Sequence, residues 1–335
     1  MQRRDGPVTM SEIARRAQVA PSTVSRALRD DPAIPLTRRV EIKRLAEELG
    51  YHPNPLVSTL MAQVHSGRRV DEPGHIAWID LWPEGVSTPA VFMRQILSGA
   101  EKRAQALGYQ LEIHHAGANP MNPERLRQIL MARSQWGFII PPVPEQAMHF
   151  PLPMSELSGV TIGTSLAAPS LNRVTTNHFQ SAQLGWDTLR AKGFKRIGLA
   201  LSPRMNARLN GQWLGGFVAA ASRIGFDALI PPLLVTESEG RKFDQWFREY
   251  QPDALLLAEP FVAMLAQTGN GAAPIPALAW LALEPGAKNV WGLEYPAEAI
   301  GGAAVDMVVG QIHRNERGAP TSPHTLLLDS VWTER

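Results

Sequence analysis

The stretch "PSTVSRAL", Pro21 to Leu28, gathers groups that bind polyanions: the hydroxyls of Ser22, Thr23 and Ser25 and the guanidinium of Arg26. Hydroxyls donate to phosphate oxygens. A guanidinium fork pairs bidentately with a phosphate or with the two acceptors on a guanine edge. Val24, Ala27 and Leu28 form a separate stripe at helical spacing. A helix that buries this stripe leaves the polar set on or near its open face. A plain solvated face on a small helical domain is the competing reading of these eight residues.

The neighbouring text supplies the elements that would hold them. "TMSEIARRAQVA" opens with a capping box, Thr9 with Glu12, and continues with Met10, Ile13, Ala14 and Ala17 at helical spacing. "AQVA" is a tight connection, and Pro21 suits the first turn of the next helix, where its missing N–H is no loss. A third helix, "LTRRVEIKRLAEELG", is expected to turn Leu36, Val40, Leu45, Ala46 and Leu49 inward and to stop at Gly50. Three short helices with a tight turn between the first two make a helix-turn-helix, whose second helix lies in the major groove with its N-terminal residues at base edges. A further short helix is expected from "YHPNPLVSTLMAQV". Asn54 is its N-cap and Pro55 its first residue, followed by Leu56, Val57, Leu60, Met61 and Val64.

Charge agrees with this placement. Residues 1–70 hold twelve Lys/Arg against seven Asp/Glu, a net +5, while the whole chain is +2, so the remaining 265 residues carry −3. A basic head on a slightly acidic body suggests a head that meets a polyanion, though charge alone fits a basic N-terminal tail of no consequence equally well. The 335 residues, 44% apolar and 19% charged, fit two or three globular domains. No apolar run is long enough for a membrane span, and "MQRRDGPVTM" lacks a secretory apolar stretch. The expectation is a soluble cytoplasmic protein. Without cysteine there is no disulfide, thiolate zinc site or thiol catalysis.

Over "VTMSEIARRAQVAPSTVSRALRDDPAIPLTRRVEIKRLAEELGYHPNPLVSTL" the head resembles the LacI/GalR family of bacterial transcription repressors. The "TVSRAL" core, its spacing to "LGYHPNP" and a hinge leucine at Leu60 stand in the family's order. The resemblance implies that Pro21, Ser22 and Arg26 face operator bases and that Thr23 and Ser25 hold phosphates. Leu60 would wedge into the minor groove at the centre of a palindromic site. Thr9, Asn54 and Met61 complete the expected DNA-binding set. Pro21 departs from the pattern by offering no donor, and Met61 stands where a basic residue is frequent. Leu60 and Met61 can equally pack on a two-fold mate.

The polar stretch "HSGRRVDEPG" separates the head from a body in which apolar strands alternate with amphipathic helices, a βαβ series. The expected organisation is an all-α helix-turn-helix domain with a hinge helix over 1–62, a linker over 63–74, and a body over 75–335. The resemblance extends to the C-terminus. It implies that the body is a two-lobed α/β domain of the periplasmic-binding-protein-like (type I) kind, with an effector cleft between lobes. Crossings are expected near Arg173, Trp291 and Pro320. Lobe 1 would then hold about 75–173 and 292–320, and lobe 2 about 174–291 and 321–335. "RLNGQWLGGFVAAASRIG" is read as one helix and "TLLLDSVWTE" as the last strand.

The cleft departs from sugar-binding members at three places. Trp213 stands where an arginine is usual, Glu259-Pro260 replaces an Asn-Asp pair, and "ALAWLALEP" replaces a segment that carries an Asp. The candidates for effector contact are Trp82, Phe92, His178, Gln180, Arg208, Asn210, Trp213, Glu259 and Trp280. Tryptophans of an α/β lobe are more often core than ligand platform, and a body that only dimerises is a live alternative. An enzyme finds little support: there is no phosphate loop ending in Lys-Ser/Thr, no G-x-S-x-G and no H-E-x-x-H. His114 and His115 are adjacent, so on a strand they point to opposite faces and make a poor metal pair. A free-standing solute-binding protein of the same fold would not need the head. The expectation is therefore a homodimeric repressor of a carbohydrate or related catabolic operon. Its partners would be palindromic double-stranded DNA and a small-molecule effector such as a sugar derivative, with no cofactor, metal or membrane.

Overall fold

A computed structural model describes residues 10–28, 31, 33–49, 51, 73–83, 90–117, 122–225, 229–263, 276–283 and 287–334. The chain divides into two compact units, a head within the first 72 residues and a body from Pro73 onward, with His313–Asn315 grouped with the head. The expected hinge helix and nearly all of the 63–74 linker lie outside the described residues.

The head is three helices, α1 (Met10–Ala17), α2 (Pro21–Leu28) and α3 (Leu36–Glu48). Gln18 takes a left-handed conformation (φ 53°), which lets the chain reverse in the short turn between α1 and α2. Ile13, Ala14, Ala17, Val24, Ala27, Ile34, Ile42 and Ala46 form the core. Arg38 on α3 donates to Ala17 O at 2.5 Å and so satisfies a carbonyl at the end of α1. The inner face of α3 differs from expectation. Ile42 and Ala46 are buried and Leu45 and Leu49 half-buried, but Leu36 and Val40 are 66% and 59% exposed. The helix has two apolar stripes, Leu36–Val40 and Ile42–Ala46–Leu49, and it is the second that packs into the core with α1 and α2.

The body opens with β1 (Gly74–Asp80), α4 (Ala90–Ala106), β2 (Tyr109–His115), α5 (Pro123–Ala132) and β3 (Gly137–Ile140). There follow β4 (Met148–His149), β5 (Ser158–Ile162), β6 (Leu166–Ala168) and β7 (Asn172–Thr176). Strands β4 and β6 pair as a small separate sheet. Next come α6 (His178–Ala191), β8 (Ile197–Leu201), α7 (Pro203–Arg208), α8 (Gln212–Ala221), β9 (Leu233–Leu234), α9 (Gly240–Tyr250) and β10 (Ala254–Leu257). The chain ends in β11 (Ala277–Leu283), β12 (Trp291–Glu294), α10 (Ala297–Arg314), β13 (Thr325–Leu328) and β14 (Val331–Glu334).

Two six-stranded sheets result, one per lobe. Lobe 1 has the order β13-β7-β5-β3-β1-β2, and lobe 2 the order β14-β12-β11-β10-β8-β9. All neighbours are parallel except β12 and β14. Parallel strands need both faces covered, which is why β3, β5, β8 and β10 are buried along their whole length. In lobe 1, α4 and α10 cover one face in very close contact. A Cβ on Gly301 would stand 1.9 Å from Ile96 O, so only glycine permits the approach.

The lobes exchange chain three times, at Asn177, at Tyr295–Pro296 and at Asp329–Ser330. These positions correct the expected boundaries. Strand β7 continues past Arg173 to Thr176 before crossing, and residues 292–294 still belong to lobe 2. The last crossing lies nine residues beyond Pro320, because "TLLLDSVWTE" is two strands: β13 pairs with β7 in lobe 1 and β14 with β12 in lobe 2. The single helix expected over "RLNGQWLGGFVAAASRIG" is also broken. Asn210 (φ 51°) and Gly211 (φ 68°) separate α7 from α8.

The burial pattern of α3 gives a direct check. Ile42→Ala should destabilise the head by about 2–5 kcal/mol, whereas Leu36→Ser should stay within about 0.5 kcal/mol of the parent. Chemical denaturation followed by circular dichroism distinguishes this from the inward Leu36–Val40 register, which reverses the ranking.

Candidate functional site

On α2, Pro21, Ser22 and Arg26 are exposed, while Thr23 and Ser25 are half-buried. The helix begins where Ala20 O accepts from the amides of Thr23 (2.9 Å) and Val24 (3.2 Å). Burial of Val24 and Ala27 then fixes which face is open. Arg26 Nε donates to Asp31 Oδ2 at 2.7 Å, and Asp31 Oδ1 accepts from the Ala33 amide at 2.9 Å. The hydrogen bond to Asp31 raises the guanidinium pKa above its ordinary value. Asp31 thus holds Arg26 beside the open face. Its pairing is exposed to water and exchangeable for a better acceptor. Sequence reasoning missed Asp31; the "RDDP" that follows the helix was its only sign. Thr9, Asn54, Leu60 and Met61 lie outside the described residues.

In the body, the expected effector residues fall into separate groups. Phe92, His178 and Trp213 belong to a chain of rings completed by Tyr295, which sequence reasoning had passed over. Phe92 lies 5.2 Å from Tyr295 between ring centroids, Tyr295 5.5 Å from His178, and His178 5.3 Å from Trp213. Phe92 stands on lobe 1, Trp213 in the core of lobe 2, and His178 and Tyr295 at two crossings. Tyr295 Oη and His178 Nδ1 are 3.3 Å apart. Burial pushes the Tyr295 hydroxyl pKa far up and the His178 pKa down to about 4. Trp213 is 2% exposed, so this ring is packing.

Arg208 and Asn210 meet lobe 1. Arg208 Nη2 and Nη1 donate to Val143 O (2.7 Å) and Pro144 O (3.3 Å), and Thr164 Oγ1 donates to Arg208 O at 2.6 Å. Gln146 Nε2 donates to Asn210 Oδ1 at 3.3 Å. On the lobe 1 side, Trp82 Nε1 donates to Pro142 O at 2.8 Å, and Arg173 donates to the carbonyls of Gly163 and Leu166.

Glu259 follows β10 and accepts from the Ser202 amide at 3.2 Å and from the Ser202 hydroxyl. Burial raises its pKa against the opposing effect of Ser202. Glu259 Oε2, Asn206 Oδ1 and Trp213 Nε1 in lobe 2 are buried without a hydrogen-bond partner, as are Asp244 Oδ1 on α9 and Gln311 Oε1 on α10. Gln180 is exposed in the first turn of α6, its amide bound to the cap residue Asn177. Trp280 sits apart, in the wall of a shallow cavity of about 370 Å³ with Ala277, Leu278 and Trp291. His114 is buried and bonded to Gln135 at 2.9 Å, while the exposed His115 stands 3.4 Å from Asp80. Among the described residues, no group of three His, Cys, Asp or Glu could hold a metal, and no helix is long and apolar enough to cross a membrane.

His178 makes the hinge sensitive to acid. The unfolded chain takes up a proton near the ordinary value of 6.5, the folded one only near 4. The contribution to stability is therefore full above about pH 6.5 and falls away toward pH 4, by up to about 3 kcal/mol. Denaturation at stepped pH should show a steeper loss for the parent than for His178→Gln over this window. Parallel curves would show that the imidazole does not titrate in this way.

Comparisons with known proteins agree with this geometry. Residues 9–54 match the bacterial regulatory proteins of the lacI family. The HTH-type transcriptional regulator PtxS of Pseudomonas plecoglossicida is 23% identical over 217 residues, spanning 64% of this chain and 60% of that relative's length. The structure of a CelR–cellobiose complex superposes with a TM-score of 0.55 at 19% identity, covering 97% of this chain and 98% of that one. The Lac repressor dimer bound to operator and the anti-inducer ONPF gives 0.52 at 18% identity, covering 98% of each. These structures share the fold. The lacI-family match thus falls on the head, over residues 9–54, and the two-lobed body shares its fold with these regulators.

Proposed function

We propose that the protein is a sequence-specific, DNA-binding transcription regulator, a homodimeric repressor of a carbohydrate or related catabolic operon. The observation that carries the reading is the open face of α2, where Pro21, Ser22 and Arg26 are exposed inside a domain that matches the lacI family. Arg26 reads a guanine after exchanging Asp31 for the base edge, since a bidentate base contact outcompetes a water-exposed ion pair. Thr23 and Ser25 hold phosphates beside it. A relative of the same fold was solved as a dimer on its operator, and another with cellobiose. The effector cleft of this chain lies between the lobes. Glu259 Oε2 and Asn206 Oδ1 in lobe 2 are buried polar atoms without protein partners that a ligand entering there would satisfy. A ligand that prefers one lobe arrangement would shift operator affinity by its preference and no more. A second reading, a body that binds no effector, is favoured by the engagement of Arg208 and Asn210 with lobe 1.

Selection of genomic fragments at fixed, near-physiological salt tests the proposal, because affinity for DNA depends steeply on ionic strength. Enrichment of a two-fold symmetric site is the expected result, and retention of DNA regardless of sequence would overturn it. On the selected site, Arg26→Ala should weaken binding by about 10- to 100-fold and relax one base position per half-site. An equal loss on random DNA would instead make Arg26 a phosphate contact.

A further inference from the structure

The turn from Arg208 to Asn210 is where lobe 2 grips lobe 1. Its lobe 1 partners come from two separate segments. Val143, Pro144 and Gln146 follow β3, and Thr164 follows β5. Four hydrogen bonds therefore join one turn to the C-terminal ends of two neighbouring strands. Arg208 is half-buried, and its pKa is lowered first by that burial and then by nearby Arg204. A guanidinium nonetheless stays charged, so it needs acceptors wherever it is placed. No carboxylate of the described residues forms an ion pair with it, and its acceptors are carbonyls of the opposite lobe. The turn itself is rigidly set. Ser202 caps α7 by accepting from the Met205 amide at 2.9 Å, and left-handed Asn210 and Gly211 reverse the chain directly after Arg208. The guanidinium is thus presented to lobe 1 by backbone geometry as well as by its own bonds.

We propose that this turn is a latch: Arg208, assisted by Thr164 and Asn210, holds the two lobes closed through the chain's own hydrogen bonds, without need of a bound effector. Closure in this chain is then the resting arrangement. An effector has to bind within the latched cleft or compete with the carbonyls of Val143 and Pro144 for the guanidinium. The consequence for transcription rests on the reading proposed above, but the latch does not.

The sequence has no cysteine, so Gln105→Cys on lobe 1 and Gln245→Cys on lobe 2, both exposed, give two unique spin-label sites in the full chain. Pulsed dipolar spectroscopy of the dialysed protein, with the labelled chain diluted into unlabelled chain so that spin pairs across a dimer do not contribute, should show a single interlobe distance. Arg208→Ala should transfer population to a longer distance, lowering the closed-to-open ratio by roughly 10- to 100-fold. Arg208→Lys should fall between, because an ammonium does not reproduce the planar fork. Thr164→Val removes one hydroxyl and should move the ratio the same way by less; it decides the matter if Arg208→Ala does not fold. An unchanged distance distribution in the folded variants, or a parent that is already open, overturns the latch. Operator affinity measured on the same samples separates the two ideas: lobes that open while operator binding stays constant uphold the latch and remove the regulatory reading.

Discussion

The body depends on three short connections, each of one or two residues, that carry the chain from one lobe to the other. Such connections have little freedom, and here they are bonded to one another. Asn177 Nδ2 donates to Asp329 Oδ1 at 2.8 Å, the Asn177 amide to Leu328 O at 2.8 Å, and Ser181 Oγ lies 3.0 Å from Ser330 Oγ. The second connection joins the others through Tyr295, whose hydroxyl reaches His178 in the first turn of α6. Motion of one lobe against the other must therefore bend all three connections together. The chain of rings from Phe92 to Trp213 fills the space behind them, so relative movement also disturbs aromatic contacts. Close-packed rings have few alternative arrangements, which favours two discrete lobe positions over a continuum.

This hinge explains why the polar residues of the cleft matter so much. A bonded hinge limits the directions in which the lobes can open, and the far end of the cleft decides how far. Arg208 stands at that far end. Residues that had the right chemistry for a ligand are engaged with the other lobe or with the hinge: Arg208, Asn210 and His178 all have protein partners. Within lobe 2, by contrast, Glu259 and Asn206 keep buried polar atoms without a protein partner. The two populations are on the same lobe but differ in consequence. The first sets the distance between lobes, and the second is what a ligand could still satisfy.

Much of the head was legible because its signals are local. A tight turn, a proline at a helix start and apolar residues at positions 13, 14, 17, 24 and 27 each restrict the backbone nearby. The third helix was misread because Leu36–Val40 and Ile42–Ala46 are both acceptable apolar stripes, and only packing against α1 and α2 chooses between them. The βαβ character of the body was equally visible, since apolar strands between helical periods leave few alternatives. The last crossing was not. "TLLLDSVWTE" has strand propensity throughout, and Asp329-Ser330 looks like a minor interruption until β7 and β12 are known to lie in different sheets. Tyr295 and Thr164 carried no signal at all, because a single hydroxyl acquires its role only from what crosses the cleft.

The same distinction governs the functional residues. The exposed position of Arg26 could be read from its neighbours in sequence because its helix face is set by the buried Val24 and Ala27 on either side of it. Arg208 could not, because its acceptors are carbonyls 64 and 65 residues distant, and every residue type offers a carbonyl. A motif for side-chain recognition of a ligand leaves a trace in residue identity, whereas a side chain that binds backbone leaves none in its partner. Arginine is a natural choice for such a contact, since its fork holds two acceptors at once and it stays charged when half-buried. An arginine facing a ligand cleft in a two-lobed protein therefore has two assignments of equal chemical merit, effector contact and interlobe clamp. Here the paired carbonyls of Val143 and Pro144 give Arg208 the second.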